Sequence, residues 1–476
     1  MRILMASSEM APLARTGGLG DVLGTLPAEL QALGHEVSVV LPYYRSIREN
    51  RSLKIKNTGT QLSLQVGGKR LVAEVLQYRT SAGVQVFLVK RDEYFDRTGI
   101  YGAEGRAYED NAERFIYFSK AVVELARRLT PSPDILHVHD WQTALVPVFV
   151  NDQELPFKTV LTLHNTAHQG SFWGLDFGLT NLPGEYFSAN GVEFYGNLNF
   201  LKGGIVFADA LTTVSERYAA DIQTQEYGCG LEIVIREHSG KLTGILNGAD
   251  YSIWNPATDK LLPRKYTPSS LAGKKNCRDA LLQGFGLEKN PRGPVIAMVT
   301  RLAEQKGIDI VLPLLDRLLS DDVRLVILGE GESSYERDLM IAVKKHHSKF
   351  GFKRGFDDRL AHLIEAGADV TLIPSHYEPC SLSAMYSLKY GAIPIARACG
   401  GLHQIIQDFD PSNLSGNGFL FYDYSPDALW DGISRAKKLF TNKESWKSLL
   451  QGAMECNFSW KNAALEYEKV YRQLNV

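Results

Sequence analysis

The tripeptide Gly-Gly-Leu occurs at Gly17-Gly18-Leu19 and again at Gly400-Gly401-Leu402. Each copy follows a strand-like run, Ile3-Leu4-Met5-Ala6 or Ile393-Pro394-Ile395-Ala396, and each opens a helical pattern. Paired glycines between a strand and a helix make a ready anion site. The backbone comes close, and exposed N–H groups and the helix dipole favour negative charge. Two such turns in two α/β halves point to a phosphorylated ligand held from both sides of a cleft. The plainer reading is two tight turns. Two cations strengthen the first reading. Arg301 follows the run Val295–Val299, and Lys306 lies in Glu304-Gln305-Lys306-Gly307. Placed beyond a strand's carboxyl end, they would neutralise a leaving diphosphate without a metal. Otherwise they belong to a solvated charged face. Glu378, in Glu378-Pro379-Cys380, sits in a rigid turn suited to meeting a hydroxyl or a developing cation. Its duller alternative is an acid at a helix N-terminus. Cys380 has no basic neighbour in sequence and does not read as a thiolate nucleophile.

In the first half, His164 and His139-Asp140-Trp141 end two strand-like runs. A carboxylate beside an aromatic ring is a common way to hold a sugar. The alternative makes Asp140 a helix N-cap and puts Trp141 in the core. His137 and His139 share one run, but one of them is expected to point into the sheet's covered face, so they do not read as a metal pair. Asp408-Phe409-Asp410 imitates an acid-x-acid metal motif, yet lies in a polar loop before Pro411 and reads as surface.

These residues need strands and helices to position them. Strand-like runs at 3–6, 37–42, 84–89, 134–140, 159–164 and 210–215 alternate with helical patterns such as Ala112–Leu129. A turn-rich stretch over 246–268 contains Asn255-Pro256, Leu262-Pro263 and Thr267-Pro268 and reads as a connection and hinge. Alternation then resumes at 295–299, 324–329, 370–374 and 393–396. The expected fold class is α/β, with two Rossmann-like domains facing each other across a cleft. The domains span 1–245 and 269–458, and 459–476 reads as an amphipathic final helix.

A chain of 476 residues is too long for one core, which agrees with two domains. The net charge of −2 gives no whole-chain pull towards nucleic acid or anionic membrane. The five cysteines are scattered and form no CxxC pair, so neither a disulfide framework nor structural zinc is expected, and a cytoplasmic setting fits. No apolar run approaches the roughly 18 residues of a membrane span. The N-terminus reads as a first strand, not a signal peptide.

Taken together, the segments resemble the bacterial glycogen synthases and plant starch synthases, retaining glucosyltransferases of the GT-B architecture (glycosyltransferase family 5). The resemblance runs nearly end to end. It covers Ser8–Pro12, Thr16–Val22, Pro133–Trp141, His164-Asn165, Asn199–Gly204, Ile245–Asp250, Trp254–Pro256, Arg301–Gly307, Ala366–Asp369 and Pro374–Cys380. It implies transfer from ADP-glucose to the non-reducing end of glycogen or a malto-oligosaccharide, with no metal or other cofactor. It implies that Arg301 and Lys306 hold the diphosphate, helped by Gly17, Gly18, Gly400, Gly401 and Leu402. Asp21, Asp140, His164 and Glu378 would surround the glucose, with Asn247 nearby. Arg15, Cys380 and Cys399 would border the donor, Phe356 the base, and Trp141 and Asn165 the acceptor. The final helix would pack back on the first domain. Four positions depart from the family pattern. Arg15 stands where lysine is usual, Ser381 where glycine is usual, Cys399 in place of threonine and Gln404 in place of aspartate. A UDP-glucose donor, a small-sugar acceptor, or a binding-only paralogue are the alternatives these departures raise.

Overall fold

A computed structural model describes residues 1–103 and 105–475 of the chain. Val476, the end of the expected final helix, lies outside them. The chain divides into two compact units, 1–248 with 460–476, and 249–459.

The first unit is built on a nine-stranded sheet. Its strands are β1 (Arg2–Ala6), β2 (Glu36–Pro42), β3 (Lys56–Val66), β4 (Lys69–Arg79), β5 (Gln85–Lys90), β6 (Ile135–His139), β7 (Lys158–Leu163), β8 (Ala210–Thr213) and β9 (Leu242–Gly244). Their order is β9-β8-β7-β6-β1-β2-β5-β4-β3. Pairings from β9 through β5 are parallel, and β4 pairs antiparallel with both β5 and β3. Every residue of β6 is buried, as expected of a strand covered on both faces. Helices α1 (Gly18–Ala32) and α2 (Asn111–Arg128) carry long buried stripes. The β3–β4 hairpin is an addition to the expected pattern. Its signal is the alternation Leu62-Ser63-Leu64-Gln65-Val66, with the apolar residues buried.

The final helix, Trp460–Gln473, groups with this first unit. It buries Trp460, Ala463, Ala464, Tyr467, Val470 and Tyr471 along one side. The Tyr471 hydroxyl lies 2.8 Å from His137 Nδ1, and Glu468 lies 3.3 Å from the His35 ring.

The second unit carries six strands: β10 (Val295–Val299), β11 (Arg324–Gly329), β12 (Phe350–Arg354), β13 (Val370–Ile373), β14 (Ile393–Arg397) and β15 (Phe419–Phe421). They are all parallel, in the order β12-β11-β10-β13-β14-β15. The two edge strands, β12 and β15, carry weak sequence signals. One ends in exposed Lys353-Arg354, and the other has three residues.

The stretch expected to be an inter-domain connection and hinge over 246–268 holds the boundary between the units, at Gly248 and Ala249. From Ala249 onward it belongs to the second unit. Trp254 stacks on His362 and on Tyr386, with ring centroids 3.7 and 4.2 Å apart. The buried Asp259 carboxylate sits 2.7 Å from His362 Nδ1 and accepts from the Tyr390 hydroxyl at 2.6 Å. A segment rich in turn residues is thus pinned by buried aromatic and polar contacts, which turn chemistry alone does not reveal.

Candidate active site

In the second unit, the polar residues gather beyond the carboxyl ends of β10, β13 and β14, the usual ligand side of such a sheet. Past β10 the chain turns through Gln305-Lys306-Gly307. Gly307 has φ 75°, and a Cβ there would lie 2.1 Å from the Pro374 carbonyl oxygen. Only glycine allows that approach, and it presses the Lys306 turn onto the end of β13. Lys306 Nζ then donates to Glu378 Oε2 at 2.6 Å, and Ser375 Oγ donates to the same oxygen at 3.0 Å. Glu378 is buried.

The second glycine pair serves the same turn. Gly400 has φ 45°, and added Cβ atoms at Gly400 and Gly401 would strike the Glu378 carbonyl and Cys380 Cα at 2.0 and 2.5 Å. The Gly401 N–H donates to the Glu378 carbonyl at 3.0 Å, and the Leu402 N–H to the Cys399 carbonyl at 3.1 Å. The Gly401 N–H, expected to face phosphate, is thus already taken up by the protein, as is that of Leu402. The helix they open spans only Leu402–Ile405. Glycine here serves close packing of Gly400-Gly401 on Glu378-Pro379-Cys380.

Around this centre, Arg301 is exposed and its Nη2 reaches Gln305 Oε1 at 3.4 Å. Cys380 and Cys399 are buried, and Cys399 Sγ lies 3.5 Å from the Ser375 carbonyl. Ser381 occupies the left-handed region, with φ 75°. Phe356 is 66% exposed in the turn between β12 and the helix Asp358–Gly367. Asp408, of the acid-x-acid segment, accepts from Arg435 and from the Leu420 N–H, a structural role.

In the first unit, the first glycine pair begins α1 with no side chain capping the helix. Glu9, buried just before it, accepts from the Thr16 N–H and Thr16 Oγ1 at 2.6 Å and from the Gly17 N–H at 3.1 Å. Tyr101 also donates to Glu9 at 2.6 Å. The Gly17 N–H is thus held by a carboxylate, which corrects its expected role as a phosphate donor. Gly18 opens the helix, and Asp21 in its first turn forms an ion pair with Arg15 at 2.9 Å.

Asp140 and His164 meet at the ends of β6 and β7. Asp140 has φ 55°, and its Oδ1 accepts the His164 N–H at 2.7 Å. Burial pushes its carboxyl up to about 7, against the His164 and Asn165 N–H groups that favour the ion. Asp140 thus anchors the neighbouring turn instead of capping its own helix. Asn165 Oδ1 closes that turn by accepting the Ala167 N–H at 3.0 Å. The His164 ring lies 3.0 Å from His139 Nδ1, and burial drives it down to about 3, a neutral imidazole at ordinary pH. Asn247 Oδ1 is buried without a hydrogen bond among the described residues.

Two expectations fail here. Trp141 is 9% exposed and packed among Phe115, Phe172 and Phe200, so its ring is core and not a sugar platform. His137 and His139, two apart on one strand, share a face, with ring centroids 4.2 Å apart. Among the described residues, no group of three or more His, Cys, Asp or Glu side chains is arranged to hold a metal ion. Sequence reasoning missed Glu9, His139 and Ser375 as supporting groups. Only His139, adjacent to Asp140, carried a local signal.

A family model described as starch synthase catalytic domain matches residues 2–237, and one described as glycosyl transferases group 1 matches 283–448. A glycogen synthase of Opitutus terrae is 43% identical, over 99% of this chain and 99% of its own. Glycogen synthase 2 of Geobacter sulfurreducens is 40% identical, over 99% and 98%. The solved catalytic domain of starch synthase IV from Arabidopsis thaliana, bound to ADP and acarbose, is 32% identical, with TM-score 0.92 and coverage of 99% and 98%. Sucrose-phosphate synthase from Thermosynechococcus elongatus, at 16% identity and TM-score 0.63 over 100% and 99%, shares the fold. The two α/β units have the GT-B fold class, and the chain belongs to the glycogen synthase and starch synthase family of glucosyltransferases.

Proposed function

We propose that the chain transfers glucose from ADP-glucose to the non-reducing end of an α-1,4-glucan, glycogen or a malto-oligosaccharide, with retention and without a metal cofactor. The observation that carries this reading is Lys306 bound to buried Glu378 at 2.6 Å on the glycine-packed turn. Lys306 and Arg301 neutralise the diphosphate as the glycosidic C–O bond breaks, which lowers the barrier where charge develops. Glu378, already holding Lys306 and Ser375, stabilises the cationic sugar and does not attack it. The acceptor hydroxyl enters on the face the diphosphate leaves, and its proton passes to the departing phosphate oxygen. That same-face course retains configuration. His164 and Asn247 meet the sugar, and Phe356 stacks on the base. The setting is the cytoplasm, with no nucleic acid or membrane partner.

A UDP-glucose donor is the second reading, favoured by Ser381 and Cys399 at the altered turn. Nucleoside diphosphate release from ADP-glucose and UDP-glucose, with and without glycogen and in EDTA, separates the two. Glycogen-dependent ADP release supports the proposal. Release of UDP alone overturns the donor, and release from neither overturns the transfer.

A further inference from the structure

We infer that His139 is a positioning residue that holds His164 in the tautomer carrying its proton on Nδ1. The inference rests on the reading that His164 meets the donor sugar.

His139 is fully buried on β6, and its backbone N–H donates to Thr143 Oγ1 at 2.8 Å. Among the described residues its ring makes one hydrogen bond, between Nδ1 and His164 Nε2 at 3.0 Å. Its Nε2 is buried with no partner among the described residues. The adjacent His137 ring offers nothing, because Tyr471 and Thr162 occupy both its nitrogens at 2.8 and 2.7 Å.

Burial keeps all three imidazoles neutral, so one proton bridges the His139–His164 contact. Two arrangements are possible. If His164 donates, the His139 proton sits on Nε2 as an orphaned buried donor, a rare and costly state. If His139 donates from Nδ1, its Nε2 is a bare lone pair, and His164 must carry its own proton on Nδ1. The second arrangement orphans no N–H. The His164 backbone is already held by Asp140 at 2.7 Å, so the residue is fixed at both ends. Nδ1 of the part-exposed His164 makes no hydrogen bond among the described residues, which leaves one N–H for a sugar oxygen. A neutral imidazole fixed this way is a hydrogen-bond donor and not a base.

The direct test is nitrogen NMR of the full chain with ¹⁵N-labelled histidine, using His164→Asn to assign the signals. The expected result is His164 protonated on Nδ1 and bare on Nε2 through neutral pH. Protonation on Nε2, or an averaged ring, overturns the inference. A kinetic arm follows. His139→Leu should lower kcat about 10-fold, with the donor KM within about 2-fold, as outer-shell losses do. His139→Asn, which keeps an amide donor near the Nδ1 position, should recover kcat to within about 3-fold of wild type. Equal loss in both variants overturns the inference. If His164→Ala leaves kcat unchanged, the site reading fails while the tautomer result still supports the positioning.

Discussion

The two units present different electrostatic characters at their strand ends. In the first, three neutral imidazoles, His137, His139 and His164, all driven down by burial, line up behind the strand ends, while the carboxyl groups of Glu9 and Asp140 are taken up by backbone N–H donors. In the second, the groups are ionic. Lys306 holds Glu378, and deeper in the unit buried Lys274 donates to the carbonyls of Ala366, Ala368 and Tyr390 at 3.1, 2.8 and 3.0 Å. A neutral network holds direction without competing for a charged ligand. An ionic pair supplies the field that a leaving diphosphate needs. On the proposed function, the neutral groups of the first unit orient the sugar and the ionic pair of the second stabilises charge.

The largest test of that division is loss of the ionic pair. Lys306→Ala and Glu378→Ala should each lower kcat by at least roughly 100-fold, as removal of groups facing developing charge does. A wild-type rate in either variant, by steady-state ADP release, breaks the comparison on its charged side.

Next is the cost of buried charge in the second unit. Burial raises the Glu365 carboxyl from 4.5 to about 7, against its hydrogen bond from Ser387. A raised carboxyl stabilises the fold fully below pH 4.5 and loses that contribution as pH rises through 7. Glu365→Gln removes the loss, so above neutral pH it should be more stable than wild type by about 3 kcal/mol. The gap should close towards acid pH. Urea unfolding of both proteins across that range measures it, and a gap independent of pH would contradict the buried-charge account.

Phe356→Ala follows. If the exposed ring stacks on the base, the donor KM should rise about 10-fold with kcat little changed. Equal donor KM values would remove the base from this turn and weaken the assignment of the donor to the second unit.

The smallest effect sharpens the comparison locally. Ser381 pays for a left-handed backbone, φ 75°, just before the helix Leu382–Tyr390. Ser381→Gly should stabilise the protein by about 1 kcal/mol in thermal unfolding. A loss of stability would mean that the Ser381–Ser383 hydroxyl contact at 3.1 Å outweighs the strain.

Much of this was legible beforehand, and the failures have a common cause. Strands such as β10, Val295–Val299, declare themselves by continuous apolar runs, and the Lys306 and Glu378 motifs sit where strands end. What the sequence hid is what backbone groups touch. The glycine pairs read as phosphate cradles, yet Gly401 packs on Glu378-Pro379-Cys380, and the Gly17 N–H meets Glu9 across a turn. Trp141 beside Asp140 looks like a sugar site until Phe115, Phe172 and Phe200 arrive from distant elements. The turn-rich stretch 246–268 reads as a connection, and its turn composition says nothing of the Trp254–His362 stack. Non-local contacts decided each of these.

Calorimetric titration of ADP into wild type, Lys306→Ala and His164→Ala tests the division of labour most directly. The account predicts a Kd raised at least about 10-fold by Lys306→Ala and changed less than about 2-fold by His164→Ala. ADP affinity that survives Lys306→Ala and falls with His164→Ala would contradict it.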